Sequence, residues 1–318
     1  MIRSMVSVIL FFGFSTLALS AENTYHLAHK VILSGEAKWD YLNFDSVDQR
    51  LYLAQGNQVD VLSPAGKVLA VIPAAGSHGA YPVPDAGLGF ISNGAANNVS
   101  IFDLRSSKVT GQVAAGQKPD AVGYDAVSNS IYVCNGESSD ATVIDAATGK
   151  VTATIPLGGK PEYLAADGHG NVLINLEDQD AIAVVDVRAH KLLKTWALPK
   201  GSSPSSMAYD KTNGKLFVGC RNKTLAVVDT RSGLVVQTLP IGDRVDATVY
   251  DSATGNIFST CGEGIISIVH QDGPSAYSLA GSVKTLPGAH TLALDPDTHE
   301  LYVPVSEAKV MTLLIFAP

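Results

Sequence analysis

The stretch AVGYDAVSNSIYVCNGESSDATVIDAATGKV, residues 121–151, decides the fold. Its short apolar runs are separated by a polar loop and by turns that begin at Asp125 and Asp145. Aspartate favours the first position of such turns because its carboxylate accepts hydrogen bonds from backbone amides two or three residues later. Short apolar runs bounded by turn residues predict antiparallel β-hairpins.

The same pattern recurs along the chain with a period near forty residues. One aspartate begins the first turn of each unit: Asp45, Asp85, Asp125, Asp167, Asp210, Asp251 and Asp295. A second set begins the next turn in four units: Asp103, Asp145, Asp186 and Asp229. We assign all of these aspartates to the scaffold. Four short strands per unit and seven units predict an all-β fold, a seven-bladed β-propeller of four-stranded blades.

The two ends of the chain predict how the ring closes. The last unit lacks a fourth strand, and an extra strand over 25–33 precedes the first unit. We expect this N-terminal strand to complete the last blade, which would remove two exposed sheet edges. The prediction is a single propeller domain over residues 21–318.

Residues 1–20 have the features of a signal peptide. Arg3 precedes an apolar stretch over 6–19, and small residues precede Ala21. The stretch is shorter than the roughly 20 apolar residues that span a membrane. We expect cleavage near Ser20-Ala21, which places the mature protein in the periplasm or outside the cell. The mature chain is expected to lack a transmembrane segment and to be monomeric.

The charge balance bears on the choice of partner. The formal net charge is −8, and loss of Arg3 makes it −9 (21 − 30). An acidic surface repels phosphate backbones, so no nucleic-acid partner is expected. Three cysteines do not form a disulfide framework, and we expect them to be buried, inert thiols.

Several runs carry a family resemblance. The segments 131–135, 142–151 and 155–161 resemble the YVTN-type propeller repeat, although Cys134 departs from the threonine of the name motif. The resemblance covers essentially all of the mature chain. In this respect the chain is similar to the YncE-like exported bacterial proteins. It implies the propeller fold. It assigns no activity, because propellers with such repeats have different roles.

The mouth of the central channel is the candidate site, because the linkers between blades reach it. Five places before the turn aspartates stand four acids and a histidine: Asp40, Asp120, Glu162, Asp246 and His290. Seven places before stand mostly basic residues: Lys38, His78, Lys118, Lys160 and Arg244. The acids either pair with these bases or contact a ligand, and the sequence leaves both interpretations open.

Aromatic and charged neighbours extend the candidate site. Tyr41 and Tyr81 are expected to add aromatic surface near the entrance, and Arg221 lies in a mouth loop. The ligand-binding candidates are Asp40, Tyr41, His78, Tyr81, Asp120, Glu162, Arg221, Asp246 and His290. Among them, Asp40, His78 and His290 form a hypothetical site for a divalent metal. The alternative interpretation is a pair of hydrogen-bonded surface histidines.

These observations favour a binding or scaffold module that uses the channel mouth for a small ligand or an envelope protein. The alternative is an enzyme with its site at the same mouth, lactonase-like, lyase-like or metal-assisted. His290 with Asp246 or Asp40 is the acid–base pair that such an enzyme would use. The sequence has no Gly-x-Ser-x-Gly elbow and no phosphate-binding glycine loop, so no catalytic residue is assigned.

Overall fold

A computed structural model of the chain describes residues 25–318, which form seven four-stranded antiparallel sheets. The segment 1–20, interpreted above as a signal peptide, lies outside the described residues. The sheets are the blades of a propeller, and the first strands of neighbouring blades contact one another around the central channel. The predicted seven-bladed, all-β fold is confirmed.

The strand that precedes the first blade is β1 (His26–Ile32). Blade 1 comprises β2 (Leu42–Asp45), β3 (Arg50–Gln55), β4 (Gln58–Leu62) and β5 (Val68–Pro73). Blade 2 comprises β6 (Ser77–Val83), β7 (Leu88–Asn93), β8 (Asn98–Asp103) and β9 (Lys108–Ala114). Blade 3 comprises β10 (Pro119–Asp125), β11 (Ser130–Asn135), β12 (Asp140–Asp145) and β13 (Val151–Pro156). Blade 4 comprises β14 (Pro161–Ala166), β15 (Asn171–Leu176), β16 (Ala181–Asp186) and β17 (Lys191–Ala197).

Blade 5 comprises β18 (Pro204–Asp210), β19 (Lys215–Cys220), β20 (Thr224–Asp229) and β21 (Leu234–Pro240). Blade 6 comprises β22 (Val245–Asp251), β23 (Asn256–Cys261), β24 (Ile265–Gly273) and β25 (Ala276–Lys284). Blade 7 contains β26 (Ala293–Leu294), β27 (Leu301–Glu307) and β28 (Val310–Ala317). Single 3-10 turns lie at Pro84–Ala86 and Glu177–Gln179.

The ring closes at blade 7 as the sequence predicted. Strand β1 pairs antiparallel with β28 and becomes the outermost strand of that blade. The hydroxyl of Tyr25 donates a hydrogen bond to the carbonyl of His299 at 2.9 Å, which fixes the start of β1 against the same blade. Closure pairs the backbone groups that β28 would otherwise expose at a sheet edge.

Apolar side chains of neighbouring sheets pack together between the blades. Between blades 2 and 3, for example, Phe90 packs in one cluster with Val122 and Ile131. The aromatic residues Tyr52, Tyr132 and Tyr302 are fully buried in blades 1, 3 and 7. Because each sheet buries both of its faces against neighbours, the ring holds its channel-lining residues in a fixed arrangement.

The turn aspartates act as scaffold, with one exception. Asp125 is representative: its carboxylate accepts hydrogen bonds from the backbone amide and the hydroxyl of Ser128, both at 2.7 Å. Asp85 differs, because it is exposed in the 3-10 turn Pro84–Ala86. In blade 2, Val83 pairs with Leu88 as Asp125 pairs with Ser130 in blade 3. The first strand of blade 2 therefore ends two residues earlier than the aspartate spacing indicated.

The three cysteines are buried and free, as expected. Burial raises the pKa of Cys220 to about 12 and that of Cys261 to about 11, so these thiols are unreactive at neutral pH. Within residues 25–318, no helix has the length and apolar character needed to cross a membrane.

Candidate ligand-binding site at the channel mouth

One side chain from each blade reaches the mouth at an equivalent position. In blade 3 it is Asp120, which follows Pro119, the residue paired with Asn135. In blade 2, Ser77 pairs with Asn93 in the same way, so His78 is the equivalent of Asp120. We call the complete set the mouth ring: Asp40, His78, Asp120, Glu162, Ser205, Asp246 and His290. This assignment corrects the sequence interpretation, which placed His78 in the basic tier.

Two loops add long side chains above the mouth ring. Glu177 and Arg221 hold the position that is Gly94 in blade 2 and Gly136 in blade 3. At each of these positions, the backbone amide donates a hydrogen bond to a carbonyl of the preceding linker. Blades 2 to 5 share this backbone geometry and differ in the side chain at the position. Blades 2 and 3 have glycine there, whereas Glu177 in blade 4 and Arg221 in blade 5 extend charged side chains over the channel.

The charges of blades 4 to 6 form one network. Arg221 donates to Glu162 at 3.1 Å, to Asp246 at 2.9 Å and to Glu177 at 2.5 Å. Lys160 forms ion pairs with Glu177 and, at 3.3 Å, with Glu162. Burial and the neighbouring Glu177 charge nevertheless raise the pKa of Glu162. In this sector the acids pair with bases, but within the described part of the chain Lys160 is the one base of the predicted tier that takes part, and Arg221 of a mouth loop supplies the other contacts.

Blades 1 to 3 hold a different arrangement, which has no arginine or lysine within ion-pair distance among the described residues. His78 Nδ1 lies 2.6 Å from Asp40 Oδ2 and 3.6 Å from Asp120 Oδ1. The hydrogen bond to Asp40 raises the pKa of His78. Burial, together with the charge of Asp40, raises the pKa of Asp120 to about 8. We call these three side chains the Asp–His–Asp cluster.

Small residues and a serine position this cluster. A Cβ on Gly94 would lie 2.4 Å from both Cδ2 and Nε2 of His78, so the imidazole occupies space that only glycine leaves open. The hydroxyl of Ser92 donates to the carbonyl of Asp120 at 2.5 Å and accepts from the amide of Gly79 at 2.9 Å. Ser92 thereby joins the strands that carry His78 and Asp120.

Tyr41 closes the channel beneath the mouth ring. Its hydroxyl donates a hydrogen bond to the carbonyl of Glu162 at 3.2 Å, and its ring centroid lies 5.4 Å from that of Tyr163. Blades 1 and 4 stand on opposite sides of the ring, so this side chain crosses the channel. Tyr41 is only 8% exposed, and it forms the floor of the site instead of an exposed aromatic surface. A separate cavity of about 320 Å³ lies on the other side, lined in part by Tyr163 and Tyr250.

His290 and Trp39 occupy the remaining side of the mouth. Their rings stack with centroids 4.9 Å apart, and His290 Nδ1 lies 2.7 Å from the carbonyl of Gly288. An open cavity of about 300 Å³ adjoins them, lined by Arg221, Arg244, Asp246, Gly262, Gly288 and His290. Arg244 donates to the carbonyl of Gly262 at 2.8 Å.

The structure brings most of the candidate residues together, with two exceptions. Tyr81 packs between blades 2 and 3 against the cluster that contains Val122, away from the mouth ring. His290 does not join Asp40 and His78: within residues 25–318, the group whose potential metal-binding atoms lie within 4.8 Å of one another is Asp40, His78 and Asp120. The hypothetical metal set is corrected accordingly. His290 lies apart because its ring stacks on Trp39.

The sequence did contain a signal for the correct position of His78. Asn93-Gly94 matches Asn135-Gly136, and Asn135 follows Asp125 by ten residues. Counting ten residues back from Asn93 reaches Val83, not Asp85, and places His78 in line with Asp120. The role of Gly94 had no signal, because it depends on the imidazole that lies against it.

Comparisons with known proteins support the fold. A chain of hydrazine synthase from Kuenenia stuttgartiensis is similar, with a TM-score of 0.78 and 14% identity over 89% of this chain and 96% of that chain. A chain of a mitotic checkpoint complex has a TM-score of 0.81 and 15% identity over 99% of this chain and 98% of that chain. At this identity the likeness extends to the fold alone. No protein-family model and no curated protein sequence match the chain.

Proposed function

We propose that this protein is an exported binding protein whose ligand occupies the channel mouth. The observation that carries this proposal is the convergence of the mouth ring, with carboxylate or imidazole side chains from six of seven blades, above a floor closed by Tyr41. A closed floor turns the channel into a cup that opens on one face. Concave sites with a few converging polar groups are the usual places for small ligands.

The energetics of the acids support a functional role for the mouth. Burial raises the pKa of Asp120, Glu162 and Asp246. When folding raises the pKa of an acid, ionisation of that acid destabilises the folded protein. These three residues therefore oppose folding at neutral pH. Groups with such perturbed pKa values are concentrated at functional sites.

The cavity beside His290 indicates the kind of ligand. Arg244 offers guanidinium donors toward an anionic group, and Asp246 offers a carboxylate toward a cationic group. The cavity volume of about 300 Å³ is at the lower end of the range for small-molecule sites. A small molecule with both an anionic and a cationic group, such as an amino acid or a short peptide, suits this arrangement.

A thermal-shift panel of amino acids and dipeptides tests this function. We expect at least one compound to raise the melting temperature of the wild-type protein. Arg244→Gln and Asp246→Asn should abolish that shift, whereas Asp297→Asn, in a turn on the opposite face, should retain it. The proposal fails if no compound shifts the melting temperature, or if the shift persists when both mouth residues are changed.

We also propose that the chain is a YVTN-type, YncE-like propeller that is exported from the cytoplasm and loses residues 1–20 in the process. The repeat runs over 131–135 and 142–151 and the apolar stretch over 6–19 support this assignment. Fractionation of expressing cells, followed by N-terminal sequencing, should recover a chain that begins at Ala21. A cytoplasmic chain that retains its N-terminus would contradict export.

A second candidate function is an enzyme at the same mouth. The contact of 2.6 Å between His78 and Asp40 favours it, because a histidine held by a carboxylate is a common general base. His78 replaces His290 as the residue for this role, since His290 Nδ1 faces the carbonyl of Gly288. A panel of lactones should show turnover that His78→Ala abolishes and His290→Ala retains. Equal activity in both variants would exclude this candidate.

A further inference from the structure

We propose that the Asp–His–Asp cluster is a binding site for a first-row divalent transition metal. Asp40, His78 and Asp120 come from three consecutive blades and hold equivalent positions in the mouth ring. One potential donor atom of each lies within 4.8 Å of the others. The inference rests on the proposed function of the mouth as a binding site and names one ligand of it.

The donor atoms are spaced for a metal ion. Zinc binds histidine nitrogen and carboxylate oxygen at about 2.0–2.2 Å, which separates two tetrahedral donors by about 3.3 Å. The present separations of His78 Nδ1 from the two carboxylates, 2.6 and 3.6 Å, bracket that value. Movement of each carboxylate by less than about 1 Å would therefore give ligand geometry.

The environment suits an ion that is exchangeable and still coordinates a further ligand. The side chains of His78, Asp40 and Asp120 are 26%, 28% and 14% exposed, so the mouth gives access to their donor atoms. Three protein donors leave a coordination position open for water or a bound molecule. Gly94 leaves the space that the imidazole fills, and Ser92 holds the strand of Asp120, so both restrain the orientation of the ligands as neighbouring residues do in metal sites.

The donor set selects the class of metal. Imidazole favours zinc, nickel, iron and copper over magnesium and calcium. Two carboxylates and no sulfur within the cluster disfavour soft ions such as Cu(I). Calcium takes six to eight oxygen ligands, and three donors with one nitrogen supply too few. Zinc is the convenient probe because it accepts mixed nitrogen and oxygen ligands and its filled d shell imposes no geometry on them.

Titration calorimetry with zinc chloride tests the inference. The wild-type protein, treated with a chelator and dialysed, should bind one zinc ion. Asp120→Asn and His78→Ala should each weaken binding at least about 10-fold. Glu162→Gln and His290→Ala lie in the same mouth outside the cluster, and each should keep the wild-type affinity. Circular dichroism and thermal unfolding establish that every variant is folded.

A pair of glycine variants provides a matched test that leaves all three ligands in place. Gly94→Ala should displace the His78 imidazole and weaken zinc binding. Gly136→Ala, at the equivalent loop position of blade 3, should not, because its Cβ would meet no atom closer than 3.8 Å. Equal effects of the two changes would contradict the proposed position of the ion.

Other outcomes overturn the inference while leaving the proposed function intact. Binding that survives His78→Ala and disappears in His29→Ala would place zinc on the surface strand β1. Absence of saturable binding would also overturn the metal site. In either case, a dipeptide or amino acid that still shifts the melting temperature of the metal-free protein would keep the mouth as a binding site. The converse result is also distinguishable. If zinc binds the cluster but no amino acid or dipeptide raises the melting temperature, the proposed function is overturned and the metal site remains.

Discussion

His78 and Asp120 hold the same position in consecutive blades, and His78 Nδ1 lies 3.6 Å from Asp120 Oδ1. Counting back from the turn aspartates does not show this relationship. In blade 2 the first strand ends at Val83, and the aspartate of the repeat, Asp85, lies beyond it in the 3-10 turn Pro84–Ala86. Once His78 is placed in the mouth ring, it stands between two carboxylates. The chemistry proposed for blades 1 to 3 follows from this position.

The corrected register predicts that two aspartates of the repeat have unequal roles. Asp125→Ala should destabilise the protein by about 2 kcal/mol, because it removes two hydrogen bonds of a buried turn. Asp85→Ala should change stability by less than about 0.5 kcal/mol, because Asp85 is exposed. Urea unfolding measures both. If Asp85→Ala destabilises the protein as much as Asp125→Ala does, the two aspartates are structurally equivalent and the corrected register is wrong.

The floor of the site predicts the effect of truncating Tyr41. Tyr41→Ala should lower the free energy of unfolding by about 3–5 kcal/mol, since it leaves a cavity in the centre of the channel. Tyr41→Phe should cost about 1 kcal/mol, because it loses only the hydrogen bond to the Glu162 carbonyl. Urea unfolding of both variants checks the prediction. A cost below about 1 kcal/mol for the alanine variant would mean that the ring does not fill the channel.

The network of blades 4 to 6 predicts strong coupling between Arg221 and Glu177. Arg221→Met should destabilise the protein by about 2 kcal/mol, because Glu162, Glu177 and Asp246 lose a shared partner. Adding Glu177→Gln should recover about 1 kcal/mol of that loss in a double-mutant cycle.

The control for this cycle is Arg231→Met. Arg231 pairs with Asp229 at 3.5 Å on the surface, so its loss should cost less than about 0.5 kcal/mol. Strictly additive effects of the Arg221 and Glu177 substitutions would show that the network contributes no coupling energy.

A buried ion pair in blade 5 predicts a dependence of stability on pH. Lys215 Nζ lies 2.8 Å from Asp229 Oδ2, and the lysine side chain is only 3% exposed. Its hydrogen bond holds the pKa of Asp229 well below the usual range. Asp229→Asn should cost about 3 kcal/mol at pH 7, because it leaves the ammonium group unpaired. Lys215→Met should cost less, since a buried charge is replaced by an apolar chain of similar length.

The sign of the pH effect follows from the lowered pKa. The contribution of Asp229 is present above its unfolded pKa, about 3.9, and is lost as the pH falls through its lower folded value. The stability difference between wild type and Asp229→Asn should therefore be constant above about pH 5 and shrink below about pH 4. Thermal unfolding from pH 3 to 8 measures this difference. A difference that grows on acidification would contradict the pairing.

Most of the fold was predictable because the same pattern of strands and turns occurs in seven units of the sequence. Each unit combines a turn aspartate with apolar strands, and the strand over 25–33 has no partner other than the incomplete last blade. Local rules of this kind depend on residues close in sequence, and repetition corrects errors in any single unit. The exception was blade 2, where Asp85 lies close enough to the expected position to be mistaken for it.

The site was less predictable because its contacts connect distant parts of the chain. Tyr41 looks like an exposed aromatic in its linker, and only the closed ring places its hydroxyl against Glu162, 121 residues away. Tyr81 follows a histidine of the mouth, yet it faces the next blade instead of the channel. His290 matched the ring position, but its stacking on Trp39 could not be read from spacing.

The most direct test of the central claim about blades 1 to 3, that the Asp–His–Asp cluster binds a metal ion through His78, is crystallography with zinc. Crystals of the protein grown with one equivalent of zinc chloride would be measured on both sides of the zinc absorption edge. We expect one anomalous peak about 2.0–2.2 Å from His78 Nδ1 and from carboxylate oxygens of Asp40 and Asp120. An empty cluster, or a peak only at surface histidines such as His29, would contradict it.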